Sequence, residues 1–131
     1  MTRRLHLDTN ALIALSDPSH PLFRQIEQHL QEGWTLGTDA VAWHEFTRGP
    51  LLKEDHQRAL RILEDRVTPI TREIAERAAE LFNITGRRRA STADCLIAAA
   101  CLHNHAAFVT LNRGDFLVFS PHGLKLFPPT K

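Results

Sequence analysis

A few residues set at turns of the chain carry side chains suited to metal or phosphate chemistry. They are Asp8 in LDTN, Glu45 in AWHEFTRG, Asp94 in STADCLIAAA, and Asn112 and Asp115 in TLNRGDF. Carboxylates pushed together repel, and their pKa values rise unless a cation neutralises them. A cluster of oxygen ligands without histidine or thiolate partners suits a hard divalent ion, Mg²⁺ or Mn²⁺. Each acid also has an ordinary explanation. Asp8 can cap a helix. Asp94 stands three residues after Ser91, the S-x-x-D spacing of a capping box. Asp115 can be a turn residue. Glu45 can be a solvated helix position, although Ala42, Trp43 and Phe46 make much of its helix apolar. The set gains meaning only if one fold brings its members to one place.

The elements that must do so are legible from periodicity. Residues 5–8 read as a buried strand, and 10–16 as a short helix stopped by Asp17-Pro18. Leu22, Ile26 and Leu30 recur at helical spacing, and Gly33 ends that helix. Residues 34–37 form a second strand, after which Thr38 or Asp39 caps a helix through Ala42 and Phe46 to Gly49. Ala59, Leu60, Ile62 and Leu63 mark another helix. Residues 67–70 are a weak strand, demoted by Pro69. Thr71 caps a helix carrying Ile74, Ala78 and Leu81 to near Gly86, and Ser91 opens one with Leu96, Ile97, Ala100 and Cys101 inward. Residues 107–111 are a strong strand and 124–127 a last one. Helices between strands imply the α/β class, with residues 1–131 as a single domain. The central sheet is mainly parallel, of about four to five strands, flanked by helices on both faces. Ligands of such sheets sit outside the carboxyl ends of the strands. Asp8, Asn112 and Asp115 fall there, and Asp94 lies in the first turn of the helix leading into 107–111.

Composition excludes little but is consistent. At 131 residues the chain can bury a sizeable core, and its 43% hydrophobic and 24% charged content is ordinary for a globular protein. Nothing approaches the roughly 20 apolar residues of a membrane span. The N-terminal apolar segment is broken by Asp8, Thr9 and Asn10, so it is a poor signal peptide. Cys95 and Cys101 would sit about 9 Å apart along one helix, too far for a disulfide, which points to a reducing, cytoplasmic setting. A net charge of +1 gives no global sign of nucleic acid, so any such partner must meet a local patch.

The succession LDTN, E-x-x-x-G from Glu45 to Gly49, ADCLIAAA and FVTLNRGDF resembles the PIN-domain ribonucleases. It is most similar to their small single-domain members, the VapC-type toxins of bacterial toxin–antitoxin systems. The resemblance covers nearly the whole chain, while residues 51–89 carry no motif. It implies that Asp8, Glu45, Asp94 and Asp115 are an acidic quartet, with Thr9, Thr110 and Asn112 as supporting polar positions. It implies a metal-dependent endoribonuclease whose products carry a 5′-phosphate and a 3′-hydroxyl. Asp8, Asp94 and Asp115 would then bind Mg²⁺, or Mn²⁺, directly or through water, and Glu45 would hold a water or a second ion. Such an ion clamps a phosphate oxygen and lowers the pKa of a bound water. The resemblance further implies a cognate VapB-like antitoxin, whose arginine can pair with the carboxylates in place of metal. It also implies a homodimer, for which the apolar stripes at 22–30 and 60–63 are candidates, with core packing an equal explanation. A non-catalytic PIN-like module that binds RNA or protein, or a housekeeping RNA-processing nuclease, are the alternatives.

RNA needs cations outside the acid cluster. Arg87, Arg88 and Arg89 stand shortly before Asp94, with Arg113 and Arg48 as weaker candidates. Each phosphate neutralised would steepen the salt dependence of binding by a slope of roughly 0.7. The plain alternative is a solvated run favoured by a helix C-terminus. Trp34 and Trp43 fit the core better than base stacking. Zinc on Cys101, His103 and His105 is disfavoured, because His103 and His105 face different ways on a helix.

Overall fold

In the first strand, β1 (Arg4–Leu7), Leu5, His6 and Leu7 are all buried. Successive strand side chains point to opposite faces, so both faces of β1 are covered. The computed structural model describes residues 3–85 and 91–128. Within them β1 lies at the centre of a five-stranded, wholly parallel sheet of order β3-β2-β1-β4-β5. The other strands are β2 (Thr35–Asp39), β3 (Val67–Thr68), β4 (Ala107–Val109) and β5 (Lys125–Phe127). Leu5 pairs with Leu36 on one side and Ala107 on the other, and His6 with Gly37 and Phe108. The α/β expectation, parallel sheet included, is met.

Helices make the crossovers. α1 (Thr9–Ala14) and α2 (Pro21–Gln31) join β1 to β2. α3 (Ala40–Thr47) and α4 (Lys53–Leu63) join β2 to β3, and α5 (Arg72–Ile84) and α6 (Thr92–His103) join β3 to β4. α1 packs on α3, α3 on α6, and α5 on α6. The expected caps are in place. Thr71 Oγ1 accepts the Ile74 N–H, and Ser91 Oγ accepts the Asp94 N–H. Of the two candidates for the cap of α3, Asp39 serves. Gly33 closes α2 at φ 92°, a left-handed conformation that costs glycine little. Leu22, Ile26 and Leu63 are core residues, which accounts for the two apolar stripes, and Trp34 and Trp43 pack half-buried against the same core. Neither cysteine is in a disulfide and both are buried. No described helix is long and apolar enough to cross a membrane.

Among the boundaries that differ from expectation, three have a visible cause. β1 ends at Leu7 because Asp8 turns to cap α1. β2 runs on through Thr38 and Asp39 because these pair with Val67 and Thr68 of the edge strand β3. β4 ends at Val109 because the next residue, Thr110, spends its hydroxyl on Asp8 and on the Asn112 N–H. The segment after β4 is also more ordered than expected. α7 (Arg113–Phe116) and a 3-10 helix (Leu117–His122) lead into β5 and bury Phe116 and Phe119.

Strand order reverses about β1, with β2 on one side and β4 on the other. This switch point opens a crevice at the carboxyl ends of the two strands. Beneath it Phe108 is fully buried, its ring 4.5 Å from Phe116 and 6.1 Å from His6. Phe108→Ala should therefore cost about 3–5 kcal/mol of stability. Urea unfolding would show it as a lowered midpoint with an unchanged slope, and a midpoint within error of the parent would contradict this packing.

Candidate active site

Asp8 is the first residue beyond β1, and both oxygens of its buried carboxylate are fixed. Oδ1 accepts the Thr9 N–H at 2.8 Å, and Oδ2 accepts the Thr110 hydroxyl at 2.8 Å. The Thr110 oxygen accepts the Asn112 N–H at 3.0 Å, and Asn10 Oδ1 accepts the Leu111 N–H at 3.0 Å. The ends of β1 and β4 are thus tied together through polar side chains. Glu45 comes from α3, and its Oε1 accepts the Thr9 hydroxyl at 2.7 Å. Thr9 therefore joins two of the acids, touching Asp8 with its backbone and Glu45 with its side chain. Asp94 lies in the first turn of α6, and Asp115 is exposed in α7.

Electrostatics link all four acids. Burial raises the pKa of Asp8 above the usual carboxylate range, despite the opposing bonds from Thr110 and Thr9, and the charges of Asp94 and Glu45 add to the rise. Asp94 is raised likewise, first by burial, against the bond from Ser91, and then by Asp115 and Glu45. Asp8 thus feels Asp94 and Glu45, and Asp94 feels Asp115 and Glu45.

The residues fit a hard cation. Their donors are all oxygens. Among the described residues, no lysine or arginine makes an ion pair with Asp8, Asp94 or Asp115. Among the described residues, Arg48 lies 4.0 Å from Glu45 and is largely exposed, a pairing worth little. Equally, no three His, Cys, Asp or Glu side chains among the described residues close into a ready-made metal cage. Neighbouring acids add to the rise at Asp8 and Asp94, and a hard ion such as Mg²⁺ usually keeps part of its water shell when carboxylates hold it.

Thr9 and Thr110 stand at the cluster as direct partners of the acids, and Asn112 supports Thr110 through its backbone N–H. Arg113 is engaged elsewhere, its Nη1 donating to the carbonyls of Phe127 and Pro128 at 3.1 Å each. Arg87, Arg88 and Arg89 lie outside the described residues. A cavity of about 410 Å³ opens at the opposite end of the strands, lined among others by Arg4, His6, Arg66 and Asn104. It contains none of the four acids and is not the candidate site. Sequence reasoning missed a buried pair just behind the cluster, in which His6 Nε2 meets Asp39 Oδ2 at 2.7 Å. A histidine inside an otherwise apolar strand was the available signal, because a buried polar group needs a partner.

The family model described as the PIN domain matches residues 5–118. No curated protein sequence matches the chain significantly. Among solved structures, FitAcB from Neisseria gonorrhoeae is similar at 22% identity and TM-score 0.73, over 95% of this chain and 97% of that one. A toxin–antitoxin complex from Klebsiella pneumoniae is 27% identical at TM-score 0.63, over 86% and 90%. The sarcin–ricin-loop-cleaving toxin VapC20 from Mycobacterium tuberculosis is 18% identical at TM-score 0.58, over 92% and 95%.

The raised carboxylates make a stability prediction. An acid whose pKa is higher when folded holds its proton more tightly in the fold, so its contribution is best at low pH and is lost as pH rises through the folded value. Asp94→Asn should therefore melt above the parent in EDTA at pH 7, by an amount of the order of 3 °C. The gain should shrink toward zero as pH falls below the ordinary aspartate value of 3.8. Mg²⁺ should raise the melting temperature of the parent more than that of the variant. A variant that melts lower than the parent at every pH would show that the acids do not strain one another.

Proposed function

The chain belongs to the PIN domain family, and from that premise we propose that it is a metal-dependent endoribonuclease, the toxin of a toxin–antitoxin pair. The observation that carries the reading is the gathering of acids at the switch point, where Asp94 and Glu45 act on buried Asp8 and Asp115 and Glu45 act on Asp94, with no described lysine or arginine in an ion pair with the three aspartates. We take residues 1–131 as one nuclease domain working in the cytoplasm.

Asp8, Asp94 and Asp115 would hold Mg²⁺ or Mn²⁺, in part through water. The ion, when bound, supplies positive charge to a phosphate oxygen and acidity to the attacking water. The protein's own residues do the rest. Thr110 and the Thr9 N–H hold Asp8 in one orientation, so its oxygens need not reorganise when substrate arrives. Thr9 holds Glu45 by one oxygen, leaving the other to orient the water that attacks phosphorus in line. Arg87, Arg88 and Arg89, immediately before α6, are the proposed contacts to the RNA backbone, drawing the strand toward an edge that would otherwise repel it. The VapC20 likeness supports RNA as the substrate, since that toxin is described as cleaving the sarcin–ricin loop. The Klebsiella complex supports an antitoxin partner, here proposed as a VapB-like protein bound to a homodimer of this chain.

The test is RNA cleavage by the purified parent and by Asp8→Asn, with Mg²⁺, with Mn²⁺ and with EDTA. The parent should cut only with metal. The variant should lose at least about a hundredfold in rate, the scale set by removing one preorganised group from a transition state. Cleavage that persists in EDTA overturns the metal reading, and a parent that binds RNA without cutting it makes the chain a binding module. Toxicity is separate, and brief induction in cells should arrest growth for the parent and not for Asp8→Asn. An active nuclease that leaves growth unchanged would point to a housekeeping role.

A further inference from the structure

The buried pair behind the cluster has a geometry that reaches the site. His6 is 1% exposed and Asp39 is 0% exposed. Asp39 uses both carboxylate oxygens. Oδ1 accepts the N–H groups of Val41 and Ala42, each at 2.9 Å, and so caps α3. Oδ2 accepts from His6 Nε2 at 2.7 Å. A carboxylate accepts and does not donate, so the His6 nitrogen carries the proton in this bond. Asp39 is thereby clamped between a strand and a helix. β1, which carries His6, also delivers Asp8 two residues later. α3, which Asp39 starts, carries Glu45 about 9 Å further along its axis at 1.5 Å per residue. α3 is only eight residues long, and before Glu45 it is anchored by its Asp39 cap and by Ala42 packed in the core. Beside the pair, Thr38 Oγ1 donates to the carbonyl of Leu7 at 2.7 Å, a second tie between the ends of β1 and β2.

Beyond the packing of α3 in the core, two polar ties bear on Glu45. Thr9 bonds its carboxylate directly, and the His6–Asp39 clamp fixes the origin and direction of its helix. We infer that His6 and Asp39 are positioning residues for the candidate active site, registering α3 against β1 so that Glu45 meets the carboxylates of Asp8 and Asp94. Capping alone does not need histidine. A Ser, Thr or Asn at position 39 would satisfy the first turn of α3 equally well. What the pair adds is a link to β1, the strand that carries Asp8. A side chain that acts through another in this way can cost a reaction as much as a misplacement near 1 Å does.

The inference rests on the metal-nuclease reading, and the experiment separates the two. Four proteins are compared: the parent, His6→Leu, His6→Gln and Asp39→Ser. Each is first checked for a cooperative melt. Two quantities are then read, the RNA cleavage rate at saturating Mg²⁺, and the Mn²⁺ concentration giving half the maximal rise in melting temperature, which needs no turnover. His6→Leu should lower the rate about tenfold or more and move the Mn²⁺ midpoint upward by a similar factor. Asp39→Ser keeps a cap for α3 but loses the link, and should do the same. His6→Gln can still donate to Asp39 and should recover most of both. In a Glu45→Gln background, His6→Leu should have little further effect on the rate, because it acts through the residue already removed. If the parent shows neither cleavage nor a Mn²⁺ shift, the nuclease reading itself fails. If the parent shows both and folded His6→Leu or Asp39→Ser matches it, or if the losses in the Glu45→Gln background multiply in full, the clamp is structural only and the inference is overturned. Should His6→Leu fail to fold, the Asp39→Ser and His6→Gln arms decide in the same way.

Discussion

Holding several carboxylates together is unfavourable, and much of this fold reads as the means of doing it. Asp8 is buried among other acids, which favours its neutral form, yet two donors stand on its oxygens, which favours the charged one. Burial wins in the protein alone. The donors do not remove the strain, but they hold the carboxylate in one orientation while it persists. A cation entering such a site gains charge that is already gathered and oriented, and relieves repulsion as it binds. The same logic explains why the Thr110 bond spans 102 residues of sequence. It connects the two strand ends that flank the switch point, where the parallel topology leaves a crevice and backbone groups lack strand partners.

The second acid-bearing element, α3, is placed by different means. Its apolar side is conventional, with Ala42 and Phe46 in the core and Phe46 packed 5.3 Å from Trp43. Its polar anchoring is less so, because Asp39 is completely buried and must be paired to be tolerated there. His6 supplies that pairing from β1. A hydrophobic residue at position 6 would pack as well against Phe108 and would leave Asp39 with only the helix N–H groups. Buried polar pairs of this kind are weak evidence of stability, since well-packed apolar replacements are often as stable. Their distinguishing property is geometric, because a hydrogen bond fixes direction where dispersion contacts do not.

Much of this was legible in the sequence, and the exceptions share a cause. The alternation of strands and helices, the parallel sheet and the caps at Thr71 and Ser91 follow from local periodicity and local chemistry. So does the placing of Asp8 just beyond the end of a strand. Boundaries failed where a long-range bond decided them. β4 stops early because Thr110 turns to Asp8, and β2 runs long because Thr38 and Asp39 find β3. The His6–Asp39 pair joins residues 33 positions apart, and no local pattern announces it. Asp39 was visible as a possible cap, but not as the partner of a strand histidine. Arg113 shows the same limit in reverse. It stands in the motif and its charge suggests a substrate contact, yet the fold turns its guanidinium onto the carbonyls of Phe127 and Pro128.

That last placement bears on how an acidic edge can meet a polyanion. Described cations close to the cluster are few. Arg48 is mostly in water, 4.0 Å from Glu45, and Arg113 is bonded to the chain's own backbone. The edge as it stands repels phosphate, and a net charge of +1 over the whole chain offers no general attraction to offset this. Attraction must therefore come from groups that arrive or converge: a divalent ion among the carboxylates, the arginines at 87–89, or side chains from a second protein. On the proposed reading the first two serve the substrate and the third serves inhibition. On that reading an arginine from a partner would meet the same oxygens that an ion would, with the bidentate geometry that guanidinium and carboxylate share. Substrate and inhibitor then compete for one electrostatic deficit, so a site built to need a cation can be closed by supplying one in a form that carries no water to attack.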